Sequence, residues 1–513
     1  MNHLNDQNQS SPFFWGVSSS GYQHEGGYNN QGEPLNNWAQ WEKQREVAPS
    51  GLAADFWKIY AEDFSLARSL GINSFRLGIE WTRLQPSLDI RSTQIPAYDL
   101  KALSHYAGMI SSAYEQGLTP LVTLFHFTHP NWLGSDPWLK TENIDLLSNH
   151  CVDTVEWINH KLIENGHPPL RWIITINEAN ILILNQYILG IFPGSFKRGP
   201  LYAQKALVNL YTAHVRTYSR LKKLYAKNKW GEVNISTNNF CHDLYWVDRV
   251  WYDVLHFGQG KKPLHDLPLY LKRRAKEFDH DFRDAKLPLK KDPSYAFGML
   301  ARKLQLALLP KLFTENSLRP LWEEMYESGE TRFFDYVAFD YYDPFSAHAF
   351  RWPVWWDWEY QTKSLRMQML QAVTSKWWDW RMLPQGLGFF IRSYAKSFPG
   401  FDIVIAENGM ATRRSFNNKL YPRFDRVHRS AYLSAHLEAV DTAIQEGFPV
   451  KGYFHWSMTD NYEWGSYAPR FGLYSIDFTQ GTRRMPVDPF GDNPSETYRR
   501  LIMKYTRGTT PLL

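Results

Sequence analysis

The feature that most constrains this chain is a regular alternation of short apolar runs with longer helical stretches. The runs fall at residues 14–17, 74–79, 121–124, 172–176, 233–237, 336–339, 403–406 and 452–455. Most are continuously apolar, as strands buried on both faces must be. Between them lie segments with helical periodicity, including 53–70, 99–116, 146–165 and 426–445; Phe56, Tyr60, Phe64 and Ala67 form one such stripe. Gly71, Gly117 and Gly447 stand at or just past the ends of the first, second and fourth of these, where a left-handed cap costs glycine little. Parallel strands need long crossovers, and eight strand–helix units close into a (β/α)8 TIM barrel of the α/β class. The expected organisation is a polar tail over residues 1–12 and a single catalytic barrel domain over 13–513, with long loop insertions after strands five and six.

Composition excludes several alternatives. With 513 residues, 43% hydrophobic and 21% charged, the chain has ample material for a large core. Its net charge of +5 is too small to indicate nucleic-acid binding. Cys151 and Cys241 are its two cysteines, too few for a disulfide framework or a cysteine-rich metal site. The tail lacks the basic and apolar regions of a secretory signal, and the longest apolar stretch, 181–192, is too short to span a bilayer and is broken by Asn185 and Gln186. These features predict a cytoplasmic protein with no integral membrane segment. Aromatic residues reach 16%, with 22 Trp, which favours sugar binding weakly, since such rings also fill cores. Residues 261–303 carry 12 Lys/Arg against 6 Asp/Glu and read first as a solvated helical insert, with an anionic-surface site as the alternative.

Active sites of such barrels lie at the carboxyl ends of the strands. In chain order those ends carry Gln23 and His24, Arg76 and Trp81, His126, Asn177 and Glu178, Asn238 and Asn239, Tyr341 and Tyr342, Glu407 and Asn408, and Trp456. Glu178 and Glu407 stand at ends four and seven, which face one another across the mouth of a closed barrel. Two carboxyls approaching one substrate atom fit glycosidic-bond chemistry.

The stretches FFWGVSSSGYQHEGG (13–27), FRLGIEWTRLQP (75–86), TINE (175–178), DYVAFDYY (335–342), IAENGM (405–410) and YFHWSMTDNYEWGSYAPRFGLYSIDF (453–478) resemble, in order, the family 1 glycoside hydrolases, retaining β-glucosidases and β-galactosidases. The resemblance implies Glu407 as nucleophile and Glu178 as acid and then base. It also implies Arg76 and Tyr342 as supports of the nucleophile, and Asn177 at the sugar 2-hydroxyl. Gln23, His126, Glu463 and Trp464 would bind the other hydroxyls, and Trp456 would be the floor under the ring. The substrate would be a small β-glycoside with a terminal glucosyl, galactosyl or fucosyl unit, cleaved without metal or organic cofactor.

Glu463 stands where the 6-phospho-glycosidases usually carry Ser, and Glu178 where the thioglucosidases carry Gln; both residues argue against those branches. Three positions depart from the family pattern: Phe127 for Trp, Ala179 for Pro and Asp340 for Asn. A transglycosidase passing the same intermediate to an alcohol or lipid-sugar acceptor is the alternative activity, and a silent sugar-binding barrel is a further rival that both glutamates oppose. The tryptophan-rich segment 350–380 suggests an apolar wall for an alkyl, aryl or lipid aglycone.

Overall fold

The computed structural model describes residues 12–194, 198–291, 294–343, 345–348, 365–414 and 419–507. All of the expected polar tail but Pro12 lies outside these residues, as do Trp352, Trp355, Trp356 and Trp358 of the tryptophan-rich segment.

Eight parallel strands close into a barrel: β1 (Phe14–Ser18), β2 (Ser74–Gly78), β3 (Thr119–Thr123), β4 (Trp172–Asn177), β5 (Asn234–Phe240), β6 (Val337–Tyr341), β7 (Ile403–Asn408) and β8 (Val450–Trp456). Each pairs with its sequence neighbour, and β8 closes the ring against β1 with Phe14 opposite Gly452 and Ser18 opposite Trp456. The four helical stretches of the sequence form helices Phe56–Ser69, Leu100–Glu115, Glu142–Glu164 and Arg429–Gln445. Asp99 caps the second, its carboxylate accepting from the amides of Lys101 (2.8 Å) and Ala102 (3.1 Å).

Strand periodicity of two sorts the barrel interior into layers. The lower layer is apolar, built by Phe14, Leu121, Ile174, Ala338, Val404 and Phe454. One step further along the strands the inward positions turn polar: Ser18, Arg76, Thr123, Asn238 and Asp340, all buried. The apolar layer is therefore the closed base on which the polar cup stands. Gly16 makes room for it, because a Cβ there would sit 2.2 Å from Cδ1 of Phe454.

Register shifts occur where the sequence places its two carboxylates. Phe339 pairs with Ile405 but Asp340 with Glu407, so β7 carries one extra residue just before Glu407. Ile174 pairs with Ser236 but Asn177 with Asn238, so β4 carries an extra residue before Asn177 and Glu178. A bulge re-aims the side chains that follow it, here toward the barrel mouth.

The region after β5 is helical, with helices Val250–Gln259, Leu267–Asp284, Tyr295–Leu308 and Glu315–Ser328. Several of its charges pair within the insert or with neighbouring elements: Arg274 with Asp253 (2.8 Å), Arg302 with Asp279 (2.8 Å) and Asp281 with Lys396 (2.8 Å). No helix among the described residues is long and apolar enough to cross a membrane.

The tight fit at Gly16 gives a test of the packed base. Gly16→Ala should overpack it and lower stability by about 1–3 kcal/mol. Phe454→Leu, harmful alone, should recover part of that loss in the double variant. Urea unfolding of the four proteins measures the coupling, and strictly additive losses would show that Gly16 and Phe454 do not compete for space.

Candidate active site

The polar cup is organised by Arg76, whose guanidinium is fully buried. Its Nε donates to Thr123 Oγ1 at 3.0 Å and its Nη2 to Asn177 Oδ1 at 2.5 Å, while Nη1 donates to Glu407 Oε1. The second oxygen of Glu407 accepts from the Tyr342 hydroxyl at 2.7 Å. Both oxygens are thus held, and the carboxylate is fixed in rotation. Asn177 Oδ1 also accepts from Asn238 Nδ2 at 2.9 Å, which leaves the Asn177 amide pointing to His126 Nε2, 3.2 Å away.

Glu178 lies at the opposite side of the cup. Its backbone N–H donates to Asn238 O at 2.9 Å, and its φ of 39° is left-handed, an uncommon conformation for a side chain of this size. Its carboxyl is buried and meets that of Asp340. Glu178, Asp340 and Glu407 each present an oxygen within 4.8 Å of the others. Asp340 accepts from Asn238 Nδ2, and its other oxygen lies 4.0 Å from Arg76 Nη1.

Three carboxyls around one guanidinium cannot all ionise cheaply. Burial raises all three, but in Glu407 the contact with Arg76 and the Tyr342 hydrogen bond oppose it. Burial and then the charge of Glu407 push Glu178 well above the usual carboxylate range. Asp340 is pushed up in the same way, by burial and then by the charges of Glu407 and Glu178. Glu407 is therefore the first of the three to ionise, and protons stay on the Glu178–Asp340 pair. The same trio is the acidic cluster that could present oxygens to a cation, but Arg76 already supplies positive charge to it.

A second group of side chains closes the other side. Glu463 accepts from Gln23 Nε2 and from Trp456 Nε1, both at 2.9 Å, and Gln23 is oriented by Ser20 Oγ at 2.7 Å. Burial pushes the Glu463 carboxyl up to about 8. His126 is held neutral by burial and then by Arg76, and its ring lies nearly parallel to Trp456 and Trp464, with centroids 6.1 and 5.8 Å away. Phe127 and Trp464, both left-handed with φ of 69° and 41°, pack together at 4.9 Å. The structure thus brings all ten sequence-derived residues to one cavity or its immediate wall. The cavity has a volume of about 460 Å3.

Other members of the site were given no role from the sequence. Thr123 and Asn238 orient Arg76 and Asn177, and their signal was their inward position at strand ends. Ala301 and Gln305 reach the cavity from the insert after β5, which nothing in their local sequence marks. Trp377, Trp378 and Trp380 of the tryptophan-rich segment line the cavity.

A closed parallel barrel with two carboxyls converging from strand ends four and seven defines a glycoside-cleaving barrel enzyme. The chain belongs to glycosyl hydrolase family 1: the sequence model described as Glycosyl hydrolase family 1 matches residues 6–243 and 310–488. Beta-glucosidase A of Thermotoga maritima is 26% identical over 483 residues, covering 92% of this chain and 94% of that protein. A 6-phospho-beta-galactosidase of Clostridium acetobutylicum is 26% identical over 500 residues, covering 92% and 93%. The fold is shared with the family 1 β-glucosidase from Thermotoga maritima in complex with isofagomine lactam, at a TM-score of 0.67 and 21% identity over 97% of this chain and 99% of that one. Residues 244–309, between the two matched parts, fall within the helical region after β5.

Burial of Glu463 has a measurable consequence for stability. An unfolded Glu titrates near 4.3, so between that value and about 8 the folded state holds a proton that the unfolded state has lost. Stability therefore falls as pH rises through this window. The buried histidines, lowered in the fold, act in the opposite sense while the unfolded chain still protonates them near pH 6.5, so the contribution of Glu463 is read as the difference between two proteins. Between pH 6.5 and 8 the stability of Glu463→Gln should gain on that of the wild type by up to about 1.4 kcal/mol per pH unit. Parallel slopes for the two proteins would show that Glu463 is ionised throughout.

Proposed function

We propose that this chain is a retaining β-glycosidase, acting through a single catalytic barrel over residues 13–513. It removes terminal β-D-glucosyl, galactosyl or fucosyl units. The observation that carries this reading is the asymmetry of the carboxyl pair: Glu407 is held at both oxygens by Arg76 and Tyr342, while Glu178, with an oxygen within 4.8 Å of it, meets the carboxyl of Asp340 instead. This approach is nearer the roughly 5–5.5 Å of retaining enzymes than the 6.5–9.5 Å that leaves room for an inverting water.

In the first step the Glu407 carboxylate attacks the anomeric carbon while the bond to the leaving oxygen breaks. That oxygen takes the Glu178 proton, and a glycosyl ester of Glu407 forms. Esterification removes the negative charge that held the Glu178 proton, so Glu178 is now the better base. It takes a proton from water, the water oxygen attacks the anomeric carbon from the face the leaving group vacated, and Glu407 departs as carboxylate. Two inversions restore the configuration. Arg76 and Tyr342 keep Glu407 ionised and aimed. Asn177, fixed by Arg76 and Asn238, meets the 2-hydroxyl, where contact strengthens in the transition state. Gln23, His126, Glu463 and Trp464 bind the remaining hydroxyls over the Trp456 ring. A 6-phosphorylated sugar would set its phosphate against Glu463, which offers it no positive charge and repels it once ionised. No step draws on a metal or organic cofactor. Transfer to an alcohol acceptor uses the same intermediate, so the product balance with an acceptor present assigns its share.

A panel of aryl β-glucoside, galactoside, fucoside and 6-phospho-galactoside, with the first-formed anomer followed by NMR, tests the reading. The β anomer should appear first. Glu407→Ala should lose nearly all turnover, and azide should restore it as the α-glycosyl azide. Glu178→Gln should slow cleavage of alkyl glycosides by about 10²–10⁴-fold while sparing the first step with a dinitrophenyl leaving group. An α product first, or near-normal Glu407→Ala, would overturn it.

Asp340 tunes the acid in this scheme. The Glu178–Asp340 pair loses its last proton against the charge of its partner, facing Glu407 and, as the one cation, Arg76. Asp340→Asn removes one of those charges, so the alkaline limb of kcat/KM should move down by about one pH unit or more. An unmoved limb would show that Asp340 does not share the proton.

A further inference from the structure

The basic insert after β5 has apolar neighbours on the outer surface of the barrel mouth. Helix Tyr295–Leu308 lies in the part of the insert that the family match does not cover. It is seated on the barrel at two points. Arg302 donates to the backbone oxygen of Asp243, beyond β5, at 2.9 Å, and Gly298 lies against the backbone of Ser346, where a Cβ would come within 2.1 Å of the carbonyl oxygen. So seated, the helix turns Ala301 and Gln305 to the cavity. Leu300 and Leu304 each stand one residue earlier, about 100° round the helix, and with Leu308 they form a stripe at four-residue spacing whose members are all more than half exposed.

A second stripe flanks the same mouth. In helix Leu365–Val373, Leu365, Met369 and Val373 repeat the four-residue spacing and are exposed. Thr374, Ser375 and Lys376, which follow directly, line the cavity. Near the start of this helix Arg366 donates to the backbone oxygen of Leu189 at 2.8 Å, beside Ile188 of the π-helical turn Leu184–Leu189, which is itself exposed and lines the cavity. Single exposed leucines are ordinary, but two stripes on separate helices at one opening mark an interaction surface.

Charge decides what covers it. Residues 285–313 hold six Lys/Arg against one acid, Asp292. Arg302 is buried and paired with Asp279 at 2.8 Å, but Lys286, Lys290, Lys291, Lys303 and Lys311 are exposed. Lys303 borders the leucine stripe, Lys290 and Lys291 lie in the turn just before the helix, and Lys311 lies in the turn just after it. Lysine is depleted where proteins bind proteins. A helix at a bilayer surface instead carries leucines on one face and lysines at its borders, whose stems stay with the apolar face while the ammonium groups reach the headgroups.

We infer that this rim docks on the surface of a bilayer containing anionic lipid, with the two stripes entering the interface and the lysines of the insert against the headgroups. The barrel mouth then opens onto that surface. The contact is peripheral, made by amphipathic helices lying along the bilayer. It goes beyond the glycosidase reading and does not depend on it, because binding is measured without turnover.

Flotation of the full chain with vesicles of phosphatidylcholine, alone or with phosphatidylserine added, tests the inference. The protein should float with the phosphatidylserine vesicles and stay behind with phosphatidylcholine. Raising the salt from about 0.1 M to about 1 M should release it, since the Debye length falls from about 10 Å to about 3 Å. The double variants Leu300→Asp/Leu304→Asp and Lys290→Glu/Lys291→Glu should each weaken vesicle binding by about tenfold or more. Ile163→Asp should leave it unchanged, because this exposed isoleucine lies at the opposite end of the barrel, where helix Glu142–Glu164 leads into the start of β4. Urea midpoints equal to that of the wild type show that the variants are folded. Equal binding to both kinds of vesicle, binding that survives salt and both double variants, or no binding at all would overturn the inference. So would dimerisation through the same leucines by a wild type that ignores vesicles, since a second copy would then cover the rim. A chain that binds the anionic vesicles but cleaves no β-glycoside would overturn the glycosidase reading alone.

Discussion

A guanidinium buried at the centre of the cup organises this site. Burying a cation is costly unless it is paired and hydrogen-bonded, and Arg76 meets that demand by binding Thr123 on β3, Asn177 on β4 and Glu407 on β7 from its own place on β2. These bonds cross the barrel mouth and set the positions of the groups the chemistry uses. They also fix the charge balance. One cation faces Glu407, Asp340 and Glu178, so ionisation of Glu407 satisfies it and makes each further ionisation harder. Desolvation and repulsion therefore keep a proton on the Glu178–Asp340 pair, the proton that the proposed mechanism gives to the leaving group.

Much of this was legible in the sequence because strand and helix periods are local properties. The eight strands form where the apolar runs lie, with ends shifted by no more than a few residues; β5 runs on to Phe240, for example, where the apolar pattern suggested an end at Thr237. Glu178 and Glu407 were legible because they directly follow such runs. The bulges in β4 and β7 were not, since a bulge is a relation between two strands and neither sequence alone records it. The same reason hid Asn238. Its position at a strand end was evident, but its bonds to Asn177 and Asp340 depend on how β5 sits between β4 and β6.

The apolar stretch 181–192 shows how a correct exclusion can stop short. Its length argued against a membrane span, and its position after Glu178 was on view, yet its place in the cavity wall depends on which face it turns inward. A π-helical turn changes that face, because the five-residue spacing displaces side chains from the three- and four-residue stripes by which helices are read. Ala301 was harder still, since it reaches the cavity only because Gly298 and Arg302 seat their helix on the barrel.

Glu178 ends the polar cup and begins the aliphatic wall, and its backbone conformation is the joint between them. Continuing β4 in extended form would carry the next side chains along the barrel axis and away from the cavity. The left-handed φ of 39° at Glu178 instead turns the chain at once into helix Ala179–Ile183, which leaves the acid at the helix's first turn and Ile181 on the cavity side. Such a conformation is strained for a residue with a Cβ, and it persists because its surroundings fix it: the Glu178 N–H is bonded to Asn238 O, and Asn180 bonds the Phe240 backbone through both its amide nitrogen (2.8 Å) and its oxygen (3.2 Å). Glu178 and the aliphatic side chains that follow it are thus held in one geometry by a single turn of backbone.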